Sequence, residues 1–288
     1  MKIVRNIKEM TEISKEFISN RKTHGLVPTM GYLHEGHLSL VRQAVKDNDC
    51  VTTSVFVNPT QFGPNEDFES YPRNEEKDIN SLQKLGVDYV FAPTVGEMYF
   101  KDHSTYVLEN KLSKVLCGEK RPGHFKGVTT VVSKLLNIIK PTRAYFGQKD
   151  AQQFRVIRKM VRDLNFTVEL VEMPIIREKD GLAMSSRNIY LTNEQRREAP
   201  LIHKALLKGK ELIKDGKNDV SEIKDAVKKI IGDSENIKID YIEIVDEQTL
   251  NILDKINDAK SDSVIIAIAT FVGKARLIDN EIVYLRNP

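Results

Sequence analysis

His34 and His37 stand three residues apart in Pro28-Thr29-Met30-Gly31-Tyr32-Leu33-His34-Glu35-Gly36-His37, where an apolar run ends and the chain turns on a glycine. Imidazoles so placed have three uses: they can hold a metal, serve as polar structure in a loop, or face an anion at a helix N-terminus. The H-E-x-x-H zinc pattern needs its histidines four apart on a helix. Here the spacing is three, Gly36 interrupts, and neither a cysteine cluster nor a clear third ligand follows. The anion reading draws on the N–H groups that a helix start leaves exposed. Gly36 would keep the backbone close to a bound group, and two imidazoles there would suit a phosphate chain whose charge rises during attack on its α-phosphorus.

Three further segments carry chemistry of the same kind. Val57 to Arg73, VNPTQFGPNEDFESYPR, is rich in turn formers and bears Asn58, Gln61 and Tyr71; Gln61 is either an ordinary loop residue or a neutral ligand contact. GQKDAQQ, residues 147–153, sets the compact cation Lys149 where phosphates would lie, Asp150 where an N-cap would stand, and Gln153 one turn on. LAMSSRN, residues 182–188, offers two hydroxyls and a guanidinium on a segment expected to be flexible and able to close over a triphosphate.

These segments need elements to hold them. HGLVPT reads as a strand, and GHLSLVRQAVKDN as a helix with Leu38, Val41 and Val45 on one side. VTTSVFV (51–57), VDYVFAP (87–93), RAYFG (143–147) and FTVELVEMPII (166–176) read as strands or extended chain, and 126–139 and 151–164 as helices. The alternation predicts an α/β chain with a Rossmann-like, doubly wound parallel sheet. In such sheets ligands lie beyond the carboxyl ends of the strands, which is where all four segments fall.

After residue 187 the pattern changes. A long charged helix is expected from Thr192, where T-N-E-Q resembles a capping box, and another around 219–231. IKIDYIEIVD, DSVIIAIATFV and KARLIDNEIVYL follow as three strands. That order predicts a smaller C-terminal α+β domain. The boundary, placed within 177–188, gives residues 1–180 as the nucleotide- and acid-binding domain and 181–288 as a lid and closure domain.

Composition narrows the class of function. With 288 residues, 40% hydrophobic and 30% charged, the chain has the make-up of a globular protein with a sizeable core. A net charge of +3 argues against a dedicated nucleic-acid binder. Two cysteines, Cys50 and Cys117, cannot build a disulfide framework and read as small buried residues. The N-terminus lacks a secretory apolar region and no run reaches the ~18 apolar residues of a membrane span. The expected location is the cytoplasm.

PTMGYLHEGH, SVFVNPTQFGPNEDFESYPR, RPGHFKGV, YFGQKDAQQ and DGLAMSSRNIYL, in collinear order through about residues 24–191, closely resemble the pantothenate synthetase, or pantoate–β-alanine ligase, family. KARLIDN resembles that family's ending. His34-Glu35-Gly36-His37 and Met184-Ser185-Ser186-Arg187 look like the two ATP signatures shared with class I aminoacyl-tRNA synthetases and nucleotidylyltransferases.

The resemblance implies that ATP and pantoate form an enzyme-bound pantoyl adenylate and pyrophosphate, and that β-alanine then attacks the acyl carbon to give pantothenate and AMP. It implies an ATP site made of Met30, Gly31, Tyr32, Leu33, His34, Glu35, Gly36 and His37, with Gly147, Gln148, Lys149, Asp150, Ile176, Met184, Ser185, Ser186 and Arg187. His37 would be the catalytic proton donor. Gln61 would hold pantoate and lie beside β-alanine, and Gln153 would hold pantoate. It further implies a homodimer, Mg²⁺ as cofactor, and small-molecule substrates with neither nucleic acid nor membrane as partner.

Two positions depart from the pattern: Tyr32 stands where alanine is common, and Lys77 precedes Asp78 where a second acid is often found. Asp78 is carried forward as the candidate magnesium ligand. Arg121 and His124 either approach the substrates or form a solvent-facing turn. Apart from the resemblance, the residue types suit the reaction. Neutral glutamines can orient an acid without neutralising its attacking carboxylate, and the cations belong at the triphosphate. A nucleotidylyltransferase, which would keep AMP on its product, is the competing reading. An RNA-binding module ranks below it, because the C-terminal third mixes lysine with acids and has few aromatics.

Overall fold

The computed structural model describes residues 1–64, 66–232 and 234–285. The chain divides into two compact units: Met1–Ser113, Lys120–Gln148 and Gln153–Pro174 form the first, and Lys114–Glu119, Lys149–Gln152 and Ile175–Pro288 the second.

The first unit is built on β1 (Lys2–Val4), β2 (His24–Thr29), β3 (Cys50–Val55), β4 (Tyr89–Phe91), β5 (Arg143–Gly147) and β6 (Glu169–Met173). They form one sheet in the order β1-β4-β3-β2-β5-β6, and each neighbouring pair is parallel. Helices α1 (Ile7–Ser19), α2 (Glu35–Asp47), α3 (Glu75–Lys84), the single turn α4 (Val95–Met98), α5 (Cys117–Lys120), α6 (His124–Ile139) and α7 (Ala151–Asp163) lie between strands in sequence. The expected doubly wound α/β sheet is present. From β2 the order runs to β3 and β4 on one side and to β5 and β6 on the other, so the topological switch lies between β2 and β5.

Pro28 lets those two strands part. His24 accepts from Thr142 on the β5 side at 2.8 Å, and Thr29 accepts from Phe56 on the β3 side at 3.1 Å. Strand alternation therefore turns Pro28 toward β5, where pairing has already ended at Gly25 and Leu26. Pro28 has no N–H to extend that ladder, so β2 continues beside β3 alone. On α2 the fully covered positions are Leu40, Val41 and Ala44, with Leu38 and Val45 partly buried beside them. The expected stripe is thus rotated by about one residue. Val27, Val51, Leu82, Val90 and Tyr145 complete that core, each fully buried aliphatic side chain contributing roughly 1.5–3 kcal/mol.

The second unit holds α8 (Asn193–Glu198), α9 (Leu201–Lys214), α10 (Val220–Gly232) and the antiparallel sheet β7 (Ile237–Asp246), β8 (Ser263–Val272) and β9 (Ala275–Tyr284). The helices-then-strands order matches the expected α+β pattern. The single helix expected from Thr192 is instead two. Thr192 and Gln195 do form the capping box, but Pro200 lacks the N–H needed to continue the helix, and α9 starts after it. Ile202, Leu206, Ile223, Val227, Ile244, Ile266 and Ile268 fill the core between helices and sheet. Cys117 is buried in this unit, its Sγ 3.1 Å from the Tyr241 hydroxyl, and Arg276 grips Asp240 at 2.7 and 3.0 Å beside it.

Candidate active site

In the first unit the chain leaves β2 through a tightly held turn. Gly31 and Tyr32 both have positive φ, +82° and +50°; the first suits glycine, while the second carries a cost of about 1–2 kcal/mol for a residue with a Cβ. Asp78, on α3 and 1% exposed, holds this turn: its Oδ2 accepts from the Tyr32 amide and its Oδ1 from the Leu33 amide, both at 2.7 Å. Thr29 accepts from the Gly31 amide at 3.2 Å and donates to the Ser54 carbonyl at 2.7 Å.

The two histidines then open α2 as a reciprocal cap. His34 Nδ1 accepts from the Gly36 amide at 3.1 Å, and His37 Nδ1 accepts from the His34 amide at 3.4 Å. Their rings lie 4.1 Å apart. Because both Nδ1 atoms accept, both imidazoles carry their proton on Nε2. Each Nδ1 is therefore part of the turn's structure, and Nε2 is the donor edge of each ring, beside a helix N-terminus.

Gln61 is buried at the end of a 3-10 turn, Pro59–Gln61, just beyond β3. Its Oε1 accepts from Asn58 Nδ2 at 3.2 Å and its Nε2 donates to Met30 Sδ at 3.0 Å. Asn58 is in turn fixed by the Tyr99 hydroxyl at 2.8 Å, the Thr60 hydroxyl at 3.0 Å and the Gly127 carbonyl at 3.2 Å. Burial pushes the Tyr99 phenol above its ordinary value, which keeps it a donor. Tyr71 is buried, edge-on to Phe62. Arg121 and His124, unassigned from the sequence, support this turn. His124 Nδ1 lies 2.8 Å from the Gln61 carbonyl, and Arg121 Nη1 lies 3.1 Å from His124 Nε2. A guanidinium can only donate, so His124 accepts at Nε2 and donates from Nδ1. Arg121 is anchored by Glu66 at 2.5 and 2.7 Å; although burial alone would raise the Glu66 pKa, Arg121 holds it below its ordinary value.

Of the remaining expected residues in the first unit, Gly147 ends β5, Gln148 opens the 3-10 turn Gln148–Asp150, and Gln153 is half-buried on the first turn of α7. Met30 through His37, Asp78 and Gln61 form one bonded group.

Lys149, Asp150, Ile176 and Met184–Arg187 belong to the second unit. Asp150 lies within the 3-10 turn, 3.7 Å from Lys149 Nζ, rather than at the extended position of an N-cap. The Lys149 carbonyl accepts from Asn280 Nδ2 at 3.0 Å. The segment expected to be flexible is bonded along its length. Met184 donates to the Ile176 carbonyl at 3.0 Å, Arg177 bridges Ala183, and Gly181 turns the chain with φ +96°. Ser185 caps the 3-10 turn Ser186–Tyr190 by accepting from the Arg187 amide. Arg177 grips the buried Asp279 with both nitrogens, at 2.6 and 3.0 Å.

Both oxygens of Asp78, the candidate magnesium ligand from the sequence, accept from backbone amides, so Asp78 also holds the turn. Burial raises its pKa, against the pull of those amides. Among the described residues no cluster of three or more histidine, cysteine or acidic side chains could hold a metal.

The family model for pantoate–β-alanine ligase matches residues 2–282. The chain belongs to the pantoate–β-alanine ligase family. Curated relatives named pantothenate synthetase include that of Fervidobacterium nodosum, 63% identical over 98% of this chain and 99% of the relative, and that of Thermosipho africanus, 61% identical over 98% and 100%. The crystal structure of pantothenate synthetase from Thermus thermophilus superposes with a TM-score of 0.92 at 45% identity, covering 99% of this chain and 100% of that one. A pantoate–β-alanine ligase from Francisella tularensis, described as complexed with β-γ ATP and β-alanine, superposes with a TM-score of 0.80 at 34% identity over 98% and 97%. The resemblance drawn from the motifs is thereby established over nearly the whole chain, and this member of the ligase family is an enzyme. No helix among the described residues is long and apolar enough to cross a membrane.

Proposed function

We propose that this ligase makes pantothenate in two steps through pantoyl adenylate. The pantoate carboxylate attacks the α-phosphorus of ATP, the bond to the bridging oxygen breaks, and pyrophosphate leaves. The β-alanine amine then attacks the acyl carbon, loses a proton, and AMP departs. The observation that carries the reading is the fixed amide of Gln61. Its Nε2 rests on Met30, the residue that opens the histidine turn, so a neutral acid-orienting group is joined to the proposed nucleotide segment. Gln153 is the second proposed pantoate contact. The other members of the ATP set are Met30–His37, Gly147–Asp150, Ile176 and Met184–Arg187. A similar ligase complexed with ATP and β-alanine supports those two substrates.

His37 is the proposed proton donor: with Nδ1 spent on the cap, its Nε2–H is the edge that would donate to charge developing on phosphate. Magnesium would enter with ATP, held by phosphate oxygens and water. A homodimer in the cytoplasm is proposed from the family resemblance, the dimer being readable by sedimentation.

Pyrophosphate exchange into ATP should require pantoate and proceed without β-alanine, and the full reaction should release free AMP. Exchange that needs β-alanine would overturn the two-step order. His37→Asn keeps an acceptor for the cap but lacks the distal N–H, and should slow exchange by roughly 10²–10³. His37→Gln, which keeps a distal N–H, should lose less. Equal losses in adenylation and in transfer from preformed adenylate would remove His37 from the donor role.

A further inference from the structure

Two consecutive residues of β9 bind two separate segments of the second unit. Asp279 and Asn280 are 4% and 3% exposed, and neighbouring residues on a strand point to opposite faces. Asp279 takes both nitrogens of Arg177, whose Nη1 also donates to the Gly181 carbonyl at 3.2 Å, so the pair clamps the base and the tip of the 176–184 hairpin. Asn280 donates from Nδ2 to the carbonyl of Lys149. Its own amide donates to Asp279 Oδ1 at 2.8 Å, which links the two holds into one unit. A packed core alone would favour apolar residues here: the flanking Leu277 and Val283 are apolar and buried. Two buried polar groups, each spending its bonds on segments remote in sequence, indicate alignment of those segments.

We infer that Asp279 and Asn280 are positioning residues for the phosphate-binding groups: Asn280 sets Lys149 through its backbone carbonyl, and Asp279 sets Met184–Arg187 through Arg177. This rests on the proposed roles of Lys149 and Arg187 in binding ATP. Each β9 residue acts by limiting where a cation can stand, which lowers the entropy lost when ATP binds.

The test is a pair of double-mutant cycles read as the KM for ATP, with the KM for pantoate and the thermal midpoint followed in parallel. Asn280→Ala should raise the ATP KM roughly fivefold, the worth of one neutral hydrogen bond, and leave the pantoate KM unchanged. Asn280→Ser is the gentler variant, should the alanine protein fold poorly; its hydroxyl is too short to reach the carbonyl. In a Lys149→Ala background the effect of Asn280→Ala on ATP should vanish. Asp279→Asn should behave the same way with Arg187→Ala. Additive losses within the Asn280–Lys149 or Asp279–Arg187 cycle would overturn the inference. So would a fall in kcat and thermal midpoint with an unchanged ATP KM, the pattern of a purely structural role. If Lys149→Ala and Arg187→Ala leave ATP binding untouched, the parent reading of the ATP site fails, and that outcome is distinct from additivity.

Discussion

Gly127 lies in α6 where the helix passes closest to the turn bearing Gln61. A Cβ there would overlap the Thr60 carbonyl oxygen and lie 2.6 Å from Gln61 Cα. The second contact alone falls 0.8 Å short of the 3.4 Å at which ordinary contact begins. The atoms in the way are backbone, so no rotamer change relieves them; either α6 or the 59–61 turn must move. In Gly127→Ala two terms oppose each other in stability. Alanine gains about 1 kcal/mol of helix propensity, while overpacking costs about 1–3 kcal/mol. The net change should be a loss of about 0–2 kcal/mol, seen as a modestly lower urea midpoint. The effect on function should be larger. A misplacement approaching 1 Å can cost on the order of 10²-fold in rate, and the turn also carries the Asn58 and His124 contacts that orient Gln61. Pantoate-dependent pyrophosphate exchange should fall between roughly ten- and a hundredfold, while ATP affinity measured without pantoate changes little. A Gly127→Ala enzyme with normal pantoate dependence and a raised midpoint would refute both the close approach and the proposed role of Gln61.

Asp78→Asn separates turn support from metal binding. One of its two amide bonds is lost, which weakens ATP binding by about 1–3 kcal/mol, whereas the magnesium concentration for half-maximal rate should stay put if turn support is its whole role; a marked rise in that requirement would assign Asp78 to the metal. His24 governs part of the response to acid. Burial lowers its pKa from 6.5 to about 4, against the pull of Asp88, and its Nε2 meets the Thr52 hydroxyl at 2.7 Å. Above about pH 6.5 the ring is neutral in both folded and unfolded chains. Between there and about pH 4 only the unfolded chain takes the proton, so stability falls as pH falls, by roughly 3 kcal/mol in all. Urea unfolding at about pH 7 and pH 5 should show His24→Asn losing less on acidification than the parent; equal losses would contradict the shift.

What could be read from the sequence depended on whether a face was uniformly apolar. Strands such as Cys50–Val55 and Ser263–Val272 are buried along most of their length, and their β-branched runs declare them. Helix α3 escaped notice for the opposite reason. Its buried positions are Asp78 and Leu82, so the inward stripe contains an acid and the 3.6-residue period disappears. The N-terminal strand Lys2–Val4 is three residues long, and only Val4 is buried. Neither offers a pattern to detect.

The same distinction runs through the candidate site. Every residue singled out for ligand contact sits in a local motif, because a turn or helix start at a strand's end is encoded by its neighbours. The groups that hold those residues in place are encoded elsewhere. Asp78 lies 46 residues from Tyr32, His124 lies 63 from Gln61, and Asn280 lies 131 from Lys149. Folding alone brings them together, and no spacing rule connects them. One trace does survive in the chain itself: Asp279 and Asn280 interrupt the apolar β9, and two polar residues buried inside a strand incur a desolvation cost that strand formation does not require. A sequence that keeps such residues must satisfy them with partners, and here each partner is a segment on which a proposed ATP contact stands.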